Sequence, residues 1–447
     1  MNMKIVIIGA GVAGINAATK LVDNGYPGKL ITIIDKGNDP HNRLPEEVMT
    51  GMLGAGGWSD GKLTYHTAIG GQLSKYCGEE KAMELMKQVV DNFTRFHPKP
   101  EEIFMSDPQA EPDFIKPYFG LRMFPVWHIG SNYLHEIAKT WYQYLLDKGV
   151  KFKWNMEVTD INFEHQEIRI DILEENRTSY TEDYDNLIFA VGKSGIDFAQ
   201  SLSNEYKLPT EPKSVQIGVR FEAPQKYFQK LIDVSYDFKL YQKFDNVSLR
   251  SFCTNNNAAY VAVEETYGDV TYNGHAKKGE EFRNDMTNFG ILMEIKGIEN
   301  PFEWSRNVVS KCQHSILDRS SFHAKKTNMG LYYSPRRKPS KTSEGDKILC
   351  VESNNEKILD FILGEQYSKY IYNFINDMNK VFNFGDDWGM YIPEVKYLSP
   401  EPLVDYTNLA LTTYPNVHFV GDALSARGIT VSGAHGIYVA EYLLNEK

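Results

Sequence analysis

The tightest constraint on this chain stands at its start, where Lys4-Ile5-Val6-Ile7-Ile8 runs into Gly9-Ala10-Gly11-Val12-Ala13-Gly14. Ile5 to Ile8 are apolar without alternation, the pattern of a strand buried on both faces of a parallel sheet. In the G-x-G-x-x-G, Gly9 permits a tight turn, Gly11 lets backbone approach a pyrophosphate, and Gly14 lets the next helix pack close to the strand. That helix reads through Asn16, Ala17, Ala18, Leu21 and Val22, with Gly25 placed for a C-terminal cap. A second strand, Leu30 to Ile34, ends in Asp35-Lys36, at the spacing of about 20 residues expected for an acid that accepts from a ribose hydroxyl. The glycines alone are a weak signal. With both strands, the helix and the acid in place, they predict a dinucleotide site whose phosphates meet the helix N-terminus.

At 447 residues the chain exceeds one ordinary core, so two or three domains are expected. Hydrophobic content of 42% and charged content of 24% are those of a soluble globular protein. A net charge of -11 argues against broad electrostatic binding to nucleic acid or acidic membranes. Cys77, Cys253, Cys312 and Cys350 lie far apart, with no C-x-x-C pair and no metal-ligand spacing. No metal site is expected, and a reduced, cytoplasmic setting fits. The opening residues run straight into the nucleotide strand, leaving no room for a signal peptide, and no stretch approaches a membrane span.

Further along, Gly54-Ala-Gly56-Gly57-Trp58-Ser59-Asp60-Gly61-Lys62 packs glycines around a Trp and a Ser-Asp-Gly turn. That composition suits a structured loop touching a cofactor rather than a floppy one. Glu79 to Phe96 and Tyr133 to Leu146 read as amphipathic helices, the second capped by Ser131 or Asn132. Val150 to Val191 reads as a β-meander closed by an apolar strand that ends in Ala190-Val191-Gly192. Residues 216–395 change character toward β-prone runs and Asn- and Gly-rich turns, with helical pieces at Phe302–Leu317 and Lys357–Phe384. Inside them, Lys325 to Lys347 is basic, either a solvated loop or a mobile lid over an anionic substrate. Val417 to Val420 then forms a buried strand before Gly421-Asp422, a turn at Gly428, and a helix from Ser432 to Asn445.

The Gly9/Gly11/Gly14 loop with its acid, the Ala190-Val191-Gly192 strand end and the Gly421-Asp422 segment together resemble flavoproteins of the glutathione-reductase superfamily, with two dinucleotide-binding domains. More narrowly, Gly54 to Lys62, His128-Ile-Gly130, Gly218-Val-Arg220, Ser251-Phe-Cys253 and Gly421 to Gly436 are similar to an uncharacterised family of bacterial-type FAD-dependent dehydrogenases. The resemblance implies an α/β fold: a Rossmann-like FAD domain with parallel sheet and meander, discontinuous in sequence, plus an inserted, largely β (α+β) substrate domain. The expected division is 1–75, 126–215 and 396–447 for the FAD domain, 76–125 for a helical or loop insertion, and 216–395 for the substrate domain. It also implies that Asp35 holds the adenosine ribose and Asp422 the ribityl chain, that Val158 packs on the adenine side, and that Gly56 to Lys62 passes near the flavin. Arg427, Gly428, Ile429 and Gly433 would belong to the C-terminal cofactor segment, whose helix points its N-terminus at the flavin. The chain departs from that family at Thr254-Asn-Asn-Asn257, where a Cys, a Pro and a Gly pair are usual, and at Ser131-Asn132, where Thr-Asp is.

The expected activity is FAD-dependent oxidoreduction, as dehydrogenase or reductase, of a small molecule, with an anion as one candidate substrate and NAD(P)H as a candidate electron donor. His128, His435 and Lys62 are the candidate catalytic groups, each also readable as structural. Arg427 would meet an anionic substrate or cap its turn, and Cys253 lacks a partner cysteine for redox work. Two other readings remain open from the residues: a flavoenzyme acting on a nucleotide or nucleic acid, and a flavin-binding protein without turnover.

Overall fold

The computed structural model describes residues 3–44, 47–173, 178–211, 215–266, 269–277, 280–317, 329–340, 350–396 and 401–446. The chain divides into two compact units, Met1–Met105, Trp127–Pro212 and Ser399–Lys447 forming the first, and Ser106–Val126 with Lys213–Leu398 the second. The protein is mixed α/β, with parallel and antiparallel sheets.

In the first unit, the principal elements in chain order are β1 (Ile5–Ile8), α1 (Val12–Asp23), β2 (Ile31–Ile34), α2 (Glu79–Arg95), α3 (Leu134–Asp147), β3 (Lys151–Lys153), β4 (Asn186–Phe189), β5 (Tyr414–Phe419) and α4 (Ile429–Asn445). β1 lies at the centre of a six-stranded sheet, paired in parallel with β2 on one side and β4 on the other. Its four residues are all buried, which explains their unbroken apolar run. β5 continues the sheet in parallel beyond β4, so the last strand of the chain pairs beside the first unit's centre. The Lys151 run, expected within the meander, instead pairs with β2 as an outer parallel strand. Its register is fixed where the Asp35 amide donates to the Lys153 carbonyl at 2.9 Å. The antiparallel meander proper comprises Met156–Asn162, Glu167–Ile172 and Ser179–Asp183.

Two helix starts differ from the sequence reading. α3 has no side-chain cap: Ser131–Tyr133 makes a 3-10 turn that feeds directly into it. α4 begins at Ile429, three residues before Ser432. The Arg427 amide donates to the Gly70 carbonyl at 2.6 Å, and the Thr430 hydroxyl donates to the Thr64 carbonyl at 2.5 Å. These contacts, one with the strand end at Thr64 and one with the loop at Gly70, settle a β-branched first turn that propensity alone disfavours.

α1 and α4 meet through small residues. A methyl group at Gly436 would lie 2.0 Å from the Ala13 carbonyl oxygen, so only glycine allows this approach. Trp141 on α3 is fully buried, its indole N–H donating to the Thr19 hydroxyl at 2.7 Å and its ring packed against Phe93 and Phe96.

The second unit is built on an eight-stranded sheet in the order Cys350–Ser353, Gly330–Tyr333, Gly389–Lys396, Val215–Pro224, Met286–Ile295, Val247–Asn255, Phe238–Lys243, Gly120–Met123. Adjacent strands are antiparallel apart from the first pair. By the two-residue period, Ile217, Val219 and Phe221 share one face with Phe289, Ile291 and Met293, whereas Arg220 and Glu222 point to the other. That polar face is buried, with Gly274 of the hairpin Ala259–Thr266/Asp269–Ala276 directly against the Arg220 guanidinium. Helices span Pro301–Leu317, Ile358–Leu363 and Glu365–Phe382. The helix expected over Lys357–Phe384 is broken at Gly364, whose φ of 81° no continuous helix accommodates. Of the basic stretch, Lys325, Lys326 and Lys341 lie outside the described residues. Arg337 pairs with Asp387 at 2.7 Å and Lys338 with Glu352 at 2.7 Å.

The Gly436 contact yields a stability prediction. Gly436→Ala should destabilise the protein by about 1–3 kcal/mol through overpacking, read as an earlier midpoint in chemical denaturation followed by circular dichroism. An unchanged midpoint would show that the two helices have slack.

Candidate functional site

The glycine turn has one open side. Gly9 stands at φ 102°, and a methyl group there would sit 2.3 Å from the Ala190 carbonyl oxygen. The end of β4 therefore runs hard against the turn, bringing Ala190 and Val191 beside it. Gly14 is equally enclosed, 2.3 Å from the Gly9 oxygen by the same measure. Gly11 differs: its added methyl would meet only the Ala190 oxygen, at 3.9 Å. Space is thus left at the middle glycine, the position that lies nearest the phosphates in a dinucleotide-binding fingerprint. Gly11 is the N-cap of α1 and no side chain caps that end, so the first-turn amides of Val12, Ala13 and Gly14 keep their anion-binding potential.

Asp35 is held by backbone. One carboxylate oxygen accepts from the amides of Gly37 at 2.8 Å and Gly51 at 2.7 Å, the other from Ala10 at 2.8 Å. A carboxylate has about four acceptor positions, so roughly one remains for a ribose hydroxyl. Lys36 reaches Ser194 O at 3.4 Å and Glu157 at 3.6 Å, close to the turn after Gly192. The meander joins the same corner, since Met156 N donates to Asp35 O at 3.1 Å and Val158 follows two residues later, buried at a bulge.

Gly54–Trp58 is a 3-10 turn lying across the start of α1, with Gly56 against the Val12 side chain and Gly57 against Arg43. Nothing in the sequence singled out Arg43, a lone basic residue in a polar, turn-rich segment. Ser59 accepts from the Gly61 amide at 3.2 Å and donates to Gly56 O at 3.0 Å, which closes the Ser-Asp-Gly turn. Gly61 then abuts Gly130, and Ile129 N donates to Gly61 O at 2.8 Å. Lys62 is not a solvent-facing lysine: it is 6% exposed and its ammonium lies 2.9 Å from the Asp60 carboxylate. His128, on the neighbouring strand, is buried and stacked on Phe104. The structure therefore brings Lys62, Asp60 and His128 onto adjoining backbone, with Lys62 and His128 buried and Asp60 half-buried.

At the C-terminal end, Gly421 at φ 67° lies against Ala13 and Ser432. The Asp422 carboxylate is 3.0 Å from the Arg427 guanidinium, and Gly428 and Ile429 open α4. Gly433 does not face this opening. Its added methyl would meet Val89 at 2.8 Å and the Asn16 amide nitrogen at 3.0 Å, so it is a helix-packing residue. Ala13 serves packing as well, through its contacts with Gly421 and Gly436.

His435 is corrected from candidate acid–base group to structural residue. It lies in the second turn of α4, fully buried, with its ring edge-on to Tyr76 at 5.6 Å. Neither ring nitrogen has a hydrogen-bond partner, and burial, opposed by the charge of Glu401, pushes its pKa down to about 4. An imidazole so placed stays neutral and touches no open surface. Tyr76 donates to Glu401 at 2.8 Å, tying this buried corner together. Cys253, in the second unit, stands at φ 45° with its carbonyl accepting from Arg220 at 2.7 Å, and it is a free thiol. Among the described residues no group of three His, Cys, Asp or Glu could hold a metal ion, and no helix is long and apolar enough to cross a membrane.

The buried histidines make stability pH-dependent. His435 and His418 are both pushed down to about 4 by burial, against an ordinary value of about 6.5 in an unfolded chain. Unfolding therefore takes up protons at each site. The stability due to neutral burial is fully present above pH of about 6.5 and is lost as pH falls toward 4. His435→Phe keeps the ring and removes the titration. Its unfolding free energy should fall less steeply over that window, by up to about 1.4 kcal/mol per pH unit. Parallel slopes in the two proteins would mean that His435 titrates normally.

No family model matches the sequence, and no curated protein does. Among solved structures, the chain aligns over 100% of its length with a flavoprotein/dehydrogenase from Cytophaga hutchinsonii, at 13% identity, 79% of that chain and a TM-score of 0.44. It aligns over 100% of its length with a mutant of halogenase PltM in complex with FAD, at 11% identity, 70% of that chain and a TM-score of 0.44. CmlS, a flavin-dependent halogenase, aligns over 100% of this chain and 60% of its own, at 12% identity and a TM-score of 0.41. At such TM-scores these likenesses carry no inference about activity.

Proposed function

We propose that this chain is an FAD-dependent oxidoreductase acting on a small molecule. The observation that carries the reading is the shape of the glycine turn: Gly9 and Gly14 are sealed by close contacts while Gly11 is open, directly before an uncapped helix N-terminus. The opening thus falls at the one glycine of the three that directly precedes the first-turn amides of α1.

The chain's residues fit the cofactor. Val12, Ala13 and Gly14 would offer main-chain amides to the pyrophosphate, and the acceptor position left on Asp35 would take a ribose hydroxyl. Asp422, fixed by Arg427, would receive the ribityl chain. Bound FAD would supply the hydride or electron transfer. The protein's part is orientation and electrostatics: the N-terminus of α4 favours negative charge next to it, and the Lys62–Asp60 pair holds a cation in a buried place. Lys62, paired with Asp60, and His128, on the neighbouring strand, would be the groups to hold or move a proton, whereas His435 is sealed in the core.

The test is a visible spectrum of purified protein, repeated without oxygen after adding NADH or NADPH. Flavin absorbance is expected in the native chain. It should be lost in Gly11→Val, which fills the open side of the turn, while circular dichroism stays unchanged. Bleaching by a nicotinamide would identify the electron donor, and persistent colour would direct screening to substrates that reduce the flavin. A folded native chain that takes up no FAD would overturn the proposal.

A further inference from the structure

Residues 47–57 cross the glycine turn with little regular structure of their own, and one side chain gathers them. Arg43 donates from Nε and Nη2 to Glu47 O at 3.1 and 2.9 Å, and from Nη1 to Met52 O at 2.7 Å. Nη2 also reaches Val48 O at 3.2 Å and Gly54 O at 2.8 Å. The guanidinium carbon lies 5.7 Å from the Trp58 ring centroid. Burial pushes the Arg43 pKa down to about 10 against the pull of Asp35 and Glu47, so the group remains a cation.

The gathered segment covers the site directly. Leu53 N donates to Ala10 O at 2.8 Å, a methyl at Gly54 would sit 3.3 Å from Gly11 Cα, and Gly56 lies on Val12. Asp35 pins the middle of the segment through Gly51 N. A planar fork with five donors can collect carbonyls arriving from several directions, which a point-charge ammonium does not reproduce.

We propose that Arg43 is a positioning residue, a latch that holds residues 47–57 closed over the glycine turn and so sets how fast bound FAD leaves. The proposal rests on the FAD reading above. It concerns retention of the cofactor, not its chemistry.

The test uses FAD-loaded native protein, Arg43→Lys and Arg43→Ala. Release is followed by the return of flavin fluorescence after dilution, beside the melting temperature of each cofactor-free protein. Arg43→Lys should release FAD about tenfold faster or more, the scale of a charged hydrogen bond lost, with the cofactor-free melting temperature nearly unchanged. Added ethylguanidinium should slow release from Arg43→Ala. Unchanged release, release that rises only in step with a falling melting temperature, or variants that do not fold even with FAD present would each overturn the latch. A native chain that takes up no FAD would overturn the cofactor reading and the latch with it.

Discussion

The Asp35 carboxylate is the interaction on which the glycine-turn end of the first unit depends. It joins three stretches of backbone just beyond the end of the β1–β2 pairing: the glycine turn at Ala10, the exit of β2 at Gly37, and the following excursion at Gly51. Hydrogen bonds to an ionised acceptor are shorter and stronger than neutral ones, and three of them on one buried side chain fix a corner that loop residues alone would leave loose. The same acid is the ribose acceptor expected from sequence. The structural role leaves room for the proposed one, because a carboxylate already oriented by its neighbours would lose little further freedom on binding.

A second constraint joins the two ends of the chain. Gly436 lets α4 approach until it meets the α1 backbone at Ala13 and Ala17, Gly433 lets it pass Asn16 and Val89, and Gly421 brings the loop before α4 onto Ala13. Because β5 also lies in the sheet of β1, the C-terminal segment has a fixed place beside the glycine turn although more than the whole second unit separates them in sequence. Dispersed glycines in a one-dimensional pattern thus become one packed corner.

The sequence is most legible where local pattern and tertiary role agree. Ile5 to Ile8, the glycine turn and Asp35 are such a place, since buried parallel strands and tight turns restrict residue type at every position. It is least legible where long-range contacts decide. The start of α4 is set by Gly70 and Thr64, the role of Gly433 by Val89, and the burial of His435 by Tyr76, none of them near in sequence. The Lys151 run reads as meander because a short alternating run fits a meander and an outer parallel strand equally well. Arg43 leaves no signal at all, because its partners are main-chain carbonyls, which every residue supplies.

The second unit handles polarity in another way. Arg220, Asn288, Asn255 and Glu394 are at most 1% exposed on one sheet face, joined by Arg220 to Asn288 at 2.6 Å and to Glu394 at 3.4 Å. Buried charges of this kind contribute little net stability, and breaking the set would leave an uncompensated ion. Their effect is on register. Sliding Val215–Pro224 by one residue would turn Arg220 and Glu222 into the apolar face beside Phe289 and Ile291, a cost that misaligned pairings cannot offset. Gly274 and Gly290, which lie against the Arg220 and Glu394 side chains, accept this layer only in the native alignment. The polar face therefore specifies strand order and register for a sheet whose apolar face, rich in interchangeable Phe, Ile and Val, would tolerate several.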